Sequence, residues 1–362
     1  MLMDQPRQLD RIYKTLIVWA LLVTAIVLMR DIVIPIAFAA LFAVVLNPVV
    51  ARLEKKTGRI LGIVIALLGA LLVFGLIMWF IVSQLAGLVA SLPGLQEQFY
   101  GFVSQASESL QAWFDIGLAE QTAMIKDALA SVSSYLGQVL LSTSYLAYFF
   151  IQVPIYIFLF LLYREKFKEF FLAISSDNEL KWRKDIEGVV RGYISGLAIV
   201  VLIAGALNSI GLLLLGIDHA IFFGFLSGAL TLIPYVGITI GATLPALLAL
   251  VTKDSLWYTV GVVGVHAVVQ FLEGNFITPK ITGSKISINA LAAILALLIG
   301  GKILGIAGMI LAVPCVGILK ILLSYSSTLK PFVILLEDTP QESKTIEDNA
   351  DPATLPEDLE KN

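Results

Sequence analysis

The sequence predicts an all-α integral membrane protein, a polytopic helix bundle of about eight spans with broken or re-entrant helices in its C-terminal half. Three observations predict it. Of 362 residues, 58% are hydrophobic and only 14% charged, against about 25% in an ordinary soluble domain. The apolar stretches mostly run 14 to 24 residues, the reach of helices across a hydrocarbon core of roughly 30 Å, whereas barrel strands need about ten residues of alternating polarity. After Tyr193, Gly and Pro interrupt the apolar runs every 14 to 16 residues.

The N-terminal spans, within 1–83, are expected at 12–29, 32–50 and 60–82. Arg30-Asp31 makes a tight hairpin between the first two. Pro35 is expected in the first turn of the second span, where a missing N–H costs least. Asn47-Pro48 is expected to end or kink that span. A long amphipathic segment, 84–139, follows, with five acids and one lysine over 84–138. The next block, 140–192, holds a fourth span and a charged segment in which 164–191 carries seven basic residues. Lys and Arg concentrate on the cytoplasmic side. The N-terminus, the 51–59 loop and 164–191 are therefore expected inside, 84–139 outside, and both termini cytoplasmic.

The C-terminal core, 193–335, begins with a fifth span that carries Asn208 midway. Broken runs follow at 220–233, 236–251, 256–269 and 290–299, and after Gly300-Gly301-Lys302 a last run reaches Leu323. Several are too short to cross unaided, the pattern that marks a transporter's binding region. Two stretches echo one another, LIPYVGITIGATLPALLAL and FITPKITGSKISINALAAILAL. The tail, 336–362, is expected to be disordered: from Glu337 it holds nine acids and two lysines and little apolar content.

Residues 270–301 form the expected centre. A carboxylate, Glu273, and two amides, Gln270 and Asn275, stand between two apolar runs. Ionisable groups at membrane depth mark functional sites, and a carboxylate near a helix end holds a cation when ionised or a proton when neutral. The competing reading pairs Glu273 with Lys280 or Lys285 at the headgroup level. Pro234 and Pro279 free backbone carbonyls that can bind a cation or merely kink a helix. Gly237 and Gly283 accompany them. Asn208, Asn289 and Gln152 are read first as interhelical hydrogen-bonding groups, and His266 as a hydrogen-bonded bundle residue.

Enzyme templates fit poorly. GFLSG around Ser227 lacks the G-x-S-x-G nucleophile spacing, and there is no HExxH, P-loop or dinucleotide-binding glycine pattern. One cysteine, Cys315, and two histidines, His219 and His266, supply no disulfide framework or metal cluster. No cofactor and no nucleic-acid partner is expected, only the bilayer and an ion or small solute.

The segments IPYVG (233–237), EGNFITPKITG (273–283) and IGGKILGIAGMILAVP (299–314) resemble the autoinducer-2 exporter family, bacterial inner-membrane permease-like proteins. The resemblance covers about residues 10 to 335 and is most specific in the last third. It implies a secondary transporter exporting an autoinducer-2-like molecule, or a sodium or lithium/proton antiporter, assembled as a homo-oligomer. Carried onto this chain, it implies Glu273, Asn275, Pro279, Gly283, Pro234 and Gly237 as family-like positions. A non-transporting scaffold is the reading from another class.

Overall fold

A computed structural model describes residues 5–114, 143–174, 181–233, 236–283, 288–326 and 328–337. All regular structure among them is helical. The helices are α1 (Gln5–Leu28), α2 (Arg30–Thr57), α3 (Arg59–Phe114), α4 (Thr143–Leu162), α5 (Arg164–Ile174), α6 (Lys181–Leu214), α7 (Ala220–Leu230), α8 (Val236–Thr252) and α9 (Leu256–Leu272). Two π-helical segments, Glu273–Ile277 and Pro279–Gly283, extend α9; α10 (Ala290–Ser324) and α11 (Pro331–Leu336) complete the order. Among the described residues five stretches are long and apolar enough to cross a membrane: Arg30–Thr57, Arg59–Leu88, Lys181–Leu214, Leu256–Ile281 and Ala290–Ser324.

The last of these is not one rod. Gly305 sits at φ 64°, ψ −146°, a conformation open only to glycine. A methyl on Gly300 would lie 2.5 Å from the Gly308 carbonyl oxygen, and one on Gly301 would lie 3.0 Å from Met309 Cγ. In a straight helix residues eight apart are about 12 Å apart. The chain therefore folds back at Gly305 into arms 290–304 and 306–324, about 22 and 28 Å long, short of the core thickness.

Helices α7 and α8 form a second hairpin. Ser227 Oγ meets the Gly241 carbonyl at 2.9 Å, and Gly237 abuts Thr231, pairs centred on 234. The open end of this hairpin lies beside the C-terminal end of α6, where Ile217 N–H bonds to Leu212 O. The open end of the Gly305 hairpin lies at the other end of α6, where Tyr325 Oη donates to Asp185 Oδ2 at 2.7 Å. The two hairpins thus enter from opposite ends. Gly224 and Gly228 let α7 lie directly on Gly205 and Ser209 of α6, small-residue packing that lets backbones approach.

Burial is concentrated in two cores. One joins α2, α3 and α4 through Ala39, Ala43, Val50, Ile63, Val153 and Ile157. The other joins α6 to α9 through Leu212, Phe222, Phe223, Ala249 and Val262. A small cluster of Leu41, Val190 and Leu311 bridges them. Arg164 bonds Glu54 at 2.5 Å and Asn47 Oδ1 at 3.1 Å, so the basic loops at 51–59 and 164–191 meet at one end.

Several sequence expectations are corrected. Pro35 sits in the second turn of α2, not the first, because α2 starts at Arg30. Asn47-Pro48 does not end α2, which continues to Thr57. No helix end separates 83 from 84, since α3 runs unbroken to Phe114; 115–139 lies outside the described residues. The break expected at Gly300-Gly301-Lys302 falls at Gly305, whose positive φ makes the turn while Gly300 and Gly301 serve close packing. Leu336 and Glu337 are structured: Asn289 Nδ2 donates to Leu335 O and Glu337 O, and Lys320 pairs with Glu337 at 3.2 Å. The rest of the acidic tail, 338–362, lies outside the described residues.

Candidate functional site

The site begins where α9 changes register. Thr278 N–H bonds to Glu273 O, five residues back rather than four, and proline at 279 supplies no N–H to continue an α ladder. The backbone widens into π-helix, a device frequent at functional sites. The wide turn brings Thr278 onto the face of Glu273. Thr278 Oγ1 donates to Glu273 Oε1 at 2.9 Å, and Gln270 Nε2 donates to Glu273 Oε2 at 2.7 Å. Both carboxylate oxygens are thereby oriented by neutral donors, the arrangement that holds an ionised carboxylate in one rotamer. Among the described residues Glu273 makes no ion pair with Lys280; Lys285 lies outside them.

Glu273 borders a narrow crevice of about 20 Å³, lined by Ala204 and Asn208 of α6, Ser227 and Thr231 of α7 and its turn, Gly237 of α8, and His266, Val269 and Gln270 of α9. That is room for one water or one bare cation. Asn208 is 4% exposed, and its Oδ1 has no hydrogen-bond partner. An orphaned buried amide oxygen costs about 1–3 kcal/mol and is an acceptor waiting for a cation or a donor. The other polar groups are satisfied. Ser227 Oγ contacts Gly241 O at 2.9 Å, Phe223 O at 2.8 Å and His266 Nε2 at 3.1 Å, while His266 Nδ1 lies 3.0 Å from Val262 O.

Four of the sequence-predicted residues, Gln270, Glu273, Asn208 and Gly237, therefore meet in one place. The others do not. Asn275 is exposed and its Nδ2 donates back to Phe271 O at 2.9 Å. Pro279 is exposed at the start of the second π segment and Gly283 ends it. Asn289 caps α10, its Oδ1 accepting from Ala292 N–H at 2.8 Å. Pro234 lies outside the described residues. Sequence reasoning passed over Thr231, Thr278 and the join of Ser227 to His266. The usable signal was spacing: Thr278 stands five residues after Glu273, and Pro245 stands four after Gly241.

A wider groove of about 310 Å³ runs along α8 and α9, lined by Thr239, Thr243 and Thr259 among apolar residues such as Ala246, Leu250 and Val263.

Long apolar helices, two opposed hairpins and a polar crevice between α6, the α7–α8 hairpin and α9 mark a multi-pass membrane protein. The model of the AI-2E family transporters matches residues 16–327, and the chain belongs to that family. It is 30% identical over 315 residues to YueF of Bacillus subtilis, covering 82% of this chain and 84% of that protein. It is 30% identical over 314 residues to YrrI of the same organism, covering 81% and 86%. To the AI-2 transport protein TqsA of Escherichia coli it is 23% identical over 323 residues, covering 86% and 91%.

Proposed function

We propose that this transporter exports a small organic solute of the autoinducer-2 kind, coupled to H⁺ or Na⁺ by alternating access. In this reading Glu273 and Asn208 hold the coupling ion. The observation that carries it is the convergence of an oriented carboxylate and an orphaned, 4% exposed amide oxygen on one crevice. The name of TqsA supports the solute class. The groove along α8 and α9, about 310 Å³, has the size of a small-molecule site.

The presence of two cores, α2–α4 and α6–α9, joined by a small cluster and by Ile81, Leu85 and Leu88 of α3, supports movement of the C-terminal elements against the N-terminal spans. A ligand drives such movement only through different affinities for the two states, so the ion at Glu273 must be held differently in each. The protein sits in the bacterial inner membrane with about eight spans, some of them broken or re-entrant, and both termini cytoplasmic, as a homo-oligomer in which 84–139 supplies an interface. A second reading, Na⁺ or Li⁺/H⁺ exchange with no organic cargo, is favoured by the crevice itself, whose 20 Å³ admits an ion and no solute.

The test reconstitutes the protein in liposomes under an imposed pH gradient and follows internal pH as Na⁺, K⁺ or Li⁺ is added, then measures uptake of labelled autoinducer-2. Cation-dependent proton movement with autoinducer-2 flux supports coupled export. Proton movement without it supports the exchanger. Neither flux contradicts both.

A further inference from the structure

We propose that the proton exchanged by this transporter is carried on His266, held between the Val262 carbonyl and the hydroxyl of Ser227. The inference rests on the ion-coupled reading above and assigns the proton a site of its own, apart from Glu273.

The hydrogens around one buried ring can be counted. Pro245 lies inside α8, fully buried. Proline has no N–H, so the carbonyl four residues earlier, Gly241 O, has no partner within its own helix. Ser227 Oγ lies 2.9 Å from that oxygen. It also lies 2.8 Å from Phe223 O, which is an ordinary i−4 carbonyl inside α7. A hydroxyl has one hydrogen, and the orphaned Gly241 O is the acceptor that needs it. Gly241 has no side chain to block the approach: a methyl there would stand 2.7 Å from Ser227 Oγ.

With its hydrogen given to Gly241, Ser227 Oγ faces His266 Nε2 as an acceptor at 3.1 Å. The other ring nitrogen, Nδ1, faces Val262 O, also an acceptor, at 3.0 Å. Both ring nitrogens thus look at acceptors, and only the imidazolium carries a hydrogen on each. The protonated ring completes an unbroken chain from Val262 O through His266 and Ser227 to Gly241 O. The neutral ring leaves one link unmade. Once the bond from Nε2–H to Ser227 opens and the proton passes to water in the crevice, the Ser227 hydroxyl turns from Gly241 O to Nε2, and Gly241 O is orphaned again.

Taking a cationic ring out of water is costly unless charge and hydrogen bonds compensate. His266 is 7% exposed. Glu273 stands seven residues on, two turns along the same face, where α9 passes into the first π segment. Among the described residues it is the one other titratable group lining the crevice: α6 contributes Ala204 and Asn208, α7 and its turn Ser227 and Thr231, and α8 Gly237. Imidazolium and crevice cation therefore share one carboxylate. Residues seven apart on a helix stand about 10 Å apart, and a cation held on Glu273 at about that distance from the ring would repel the imidazolium enough to change affinity about tenfold. Binding of the cation expels the proton, and binding of the proton expels the cation, which is the coupling an exchanger requires.

The chain has two histidines, so the test is direct. Protein labelled with ¹⁵N-histidine, as wild type and as His219→Gln to assign the signals, is titrated by NMR from pH 5 to 9 with and without Na⁺. The expected result is a His266 ring protonated on both nitrogens that becomes neutral within this range, with a midpoint about one pH unit lower in saturating Na⁺. That displacement should vanish in Glu273→Gln. A ring neutral throughout, or a titration indifferent to Na⁺, overturns the proposal. The readout needs no flux, so loss of transport activity with an Na⁺-sensitive titration would count against the export reading and not against this site.

Discussion

Thr278 donates twice to Glu273: its backbone N–H reaches the Glu273 carbonyl, and its hydroxyl reaches Glu273 Oε1 at 2.9 Å. A regular α-helix would carry residue i+5 past the face of residue i. The π turn closes that angle, so a backbone defect is what aims the carboxylate into the crevice.

Thr278→Val keeps the shape of the side chain and removes its donor. One hydrogen bond to a charged group is worth about 1.5–3 kcal/mol, so apparent cation affinity should fall about tenfold or more. Thr278→Ser should restore it. Cation-dependent proton flux against concentration measures both variants.

Asn208→Leu replaces a buried orphaned oxygen with a methyl of similar volume. Relief of an unsatisfied acceptor should raise stability by about 1 kcal/mol while cation-dependent flux is lost. Thermal unfolding in detergent alongside liposome flux reads both. A fall in stability would show that Asn208 is a packing residue only.

Gly305→Ala puts a Cβ at φ 64° in open space, since no atom lies within 4 Å of that position. The cost is backbone strain, of order 1–3 kcal/mol, with no clash. Thermal stability should drop, and Gly301→Ala, at 3.0 Å from a flexible Met309 side chain, should cost less. Equal losses would contradict a turn at Gly305.

Pro245→Ala returns an N–H to α8, which recaptures the Gly241 carbonyl and frees the Ser227 hydroxyl for His266 Nε2. A shift of one hydrogen bond, about 0.5–1.5 kcal/mol, corresponds to as much as about one pH unit. The pH midpoint of flux should move toward acid, by up to that amount, with cation affinity little changed. An unmoved profile would separate Pro245 from the proton.

Helix content and the broken C-terminal half were legible because apolar length and Gly/Pro punctuation are local signals. So was Glu273, because a carboxylate between apolar runs is costly wherever it folds. The break falls a few residues after the Gly300-Gly301 step the sequence suggests, and its being a hairpin is not legible: Gly300, Gly301 and Gly305 look alike in sequence, and only packing distinguishes two that admit a neighbour from one that reverses the chain. Asn275 and Asn289 looked equal to Asn208 as amides. Their exclusion came from rotation about the helix and from capping, which depend on where the π turn and the next helix start. The Ser227–His266 join spans 39 residues and three helices, and no local pattern carries it.

Glu273→Gln is an isosteric change that keeps a hydrogen-bonding group and removes the charge. In liposomes with an imposed pH gradient, wild-type protein should show Na⁺- or Li⁺-dependent proton movement, and Glu273→Gln, matched to it in thermal stability, should lose at least about nine-tenths of the rate. Retention of the rate and of its cation dependence in the variant would contradict the assignment of the coupling ion to this crevice.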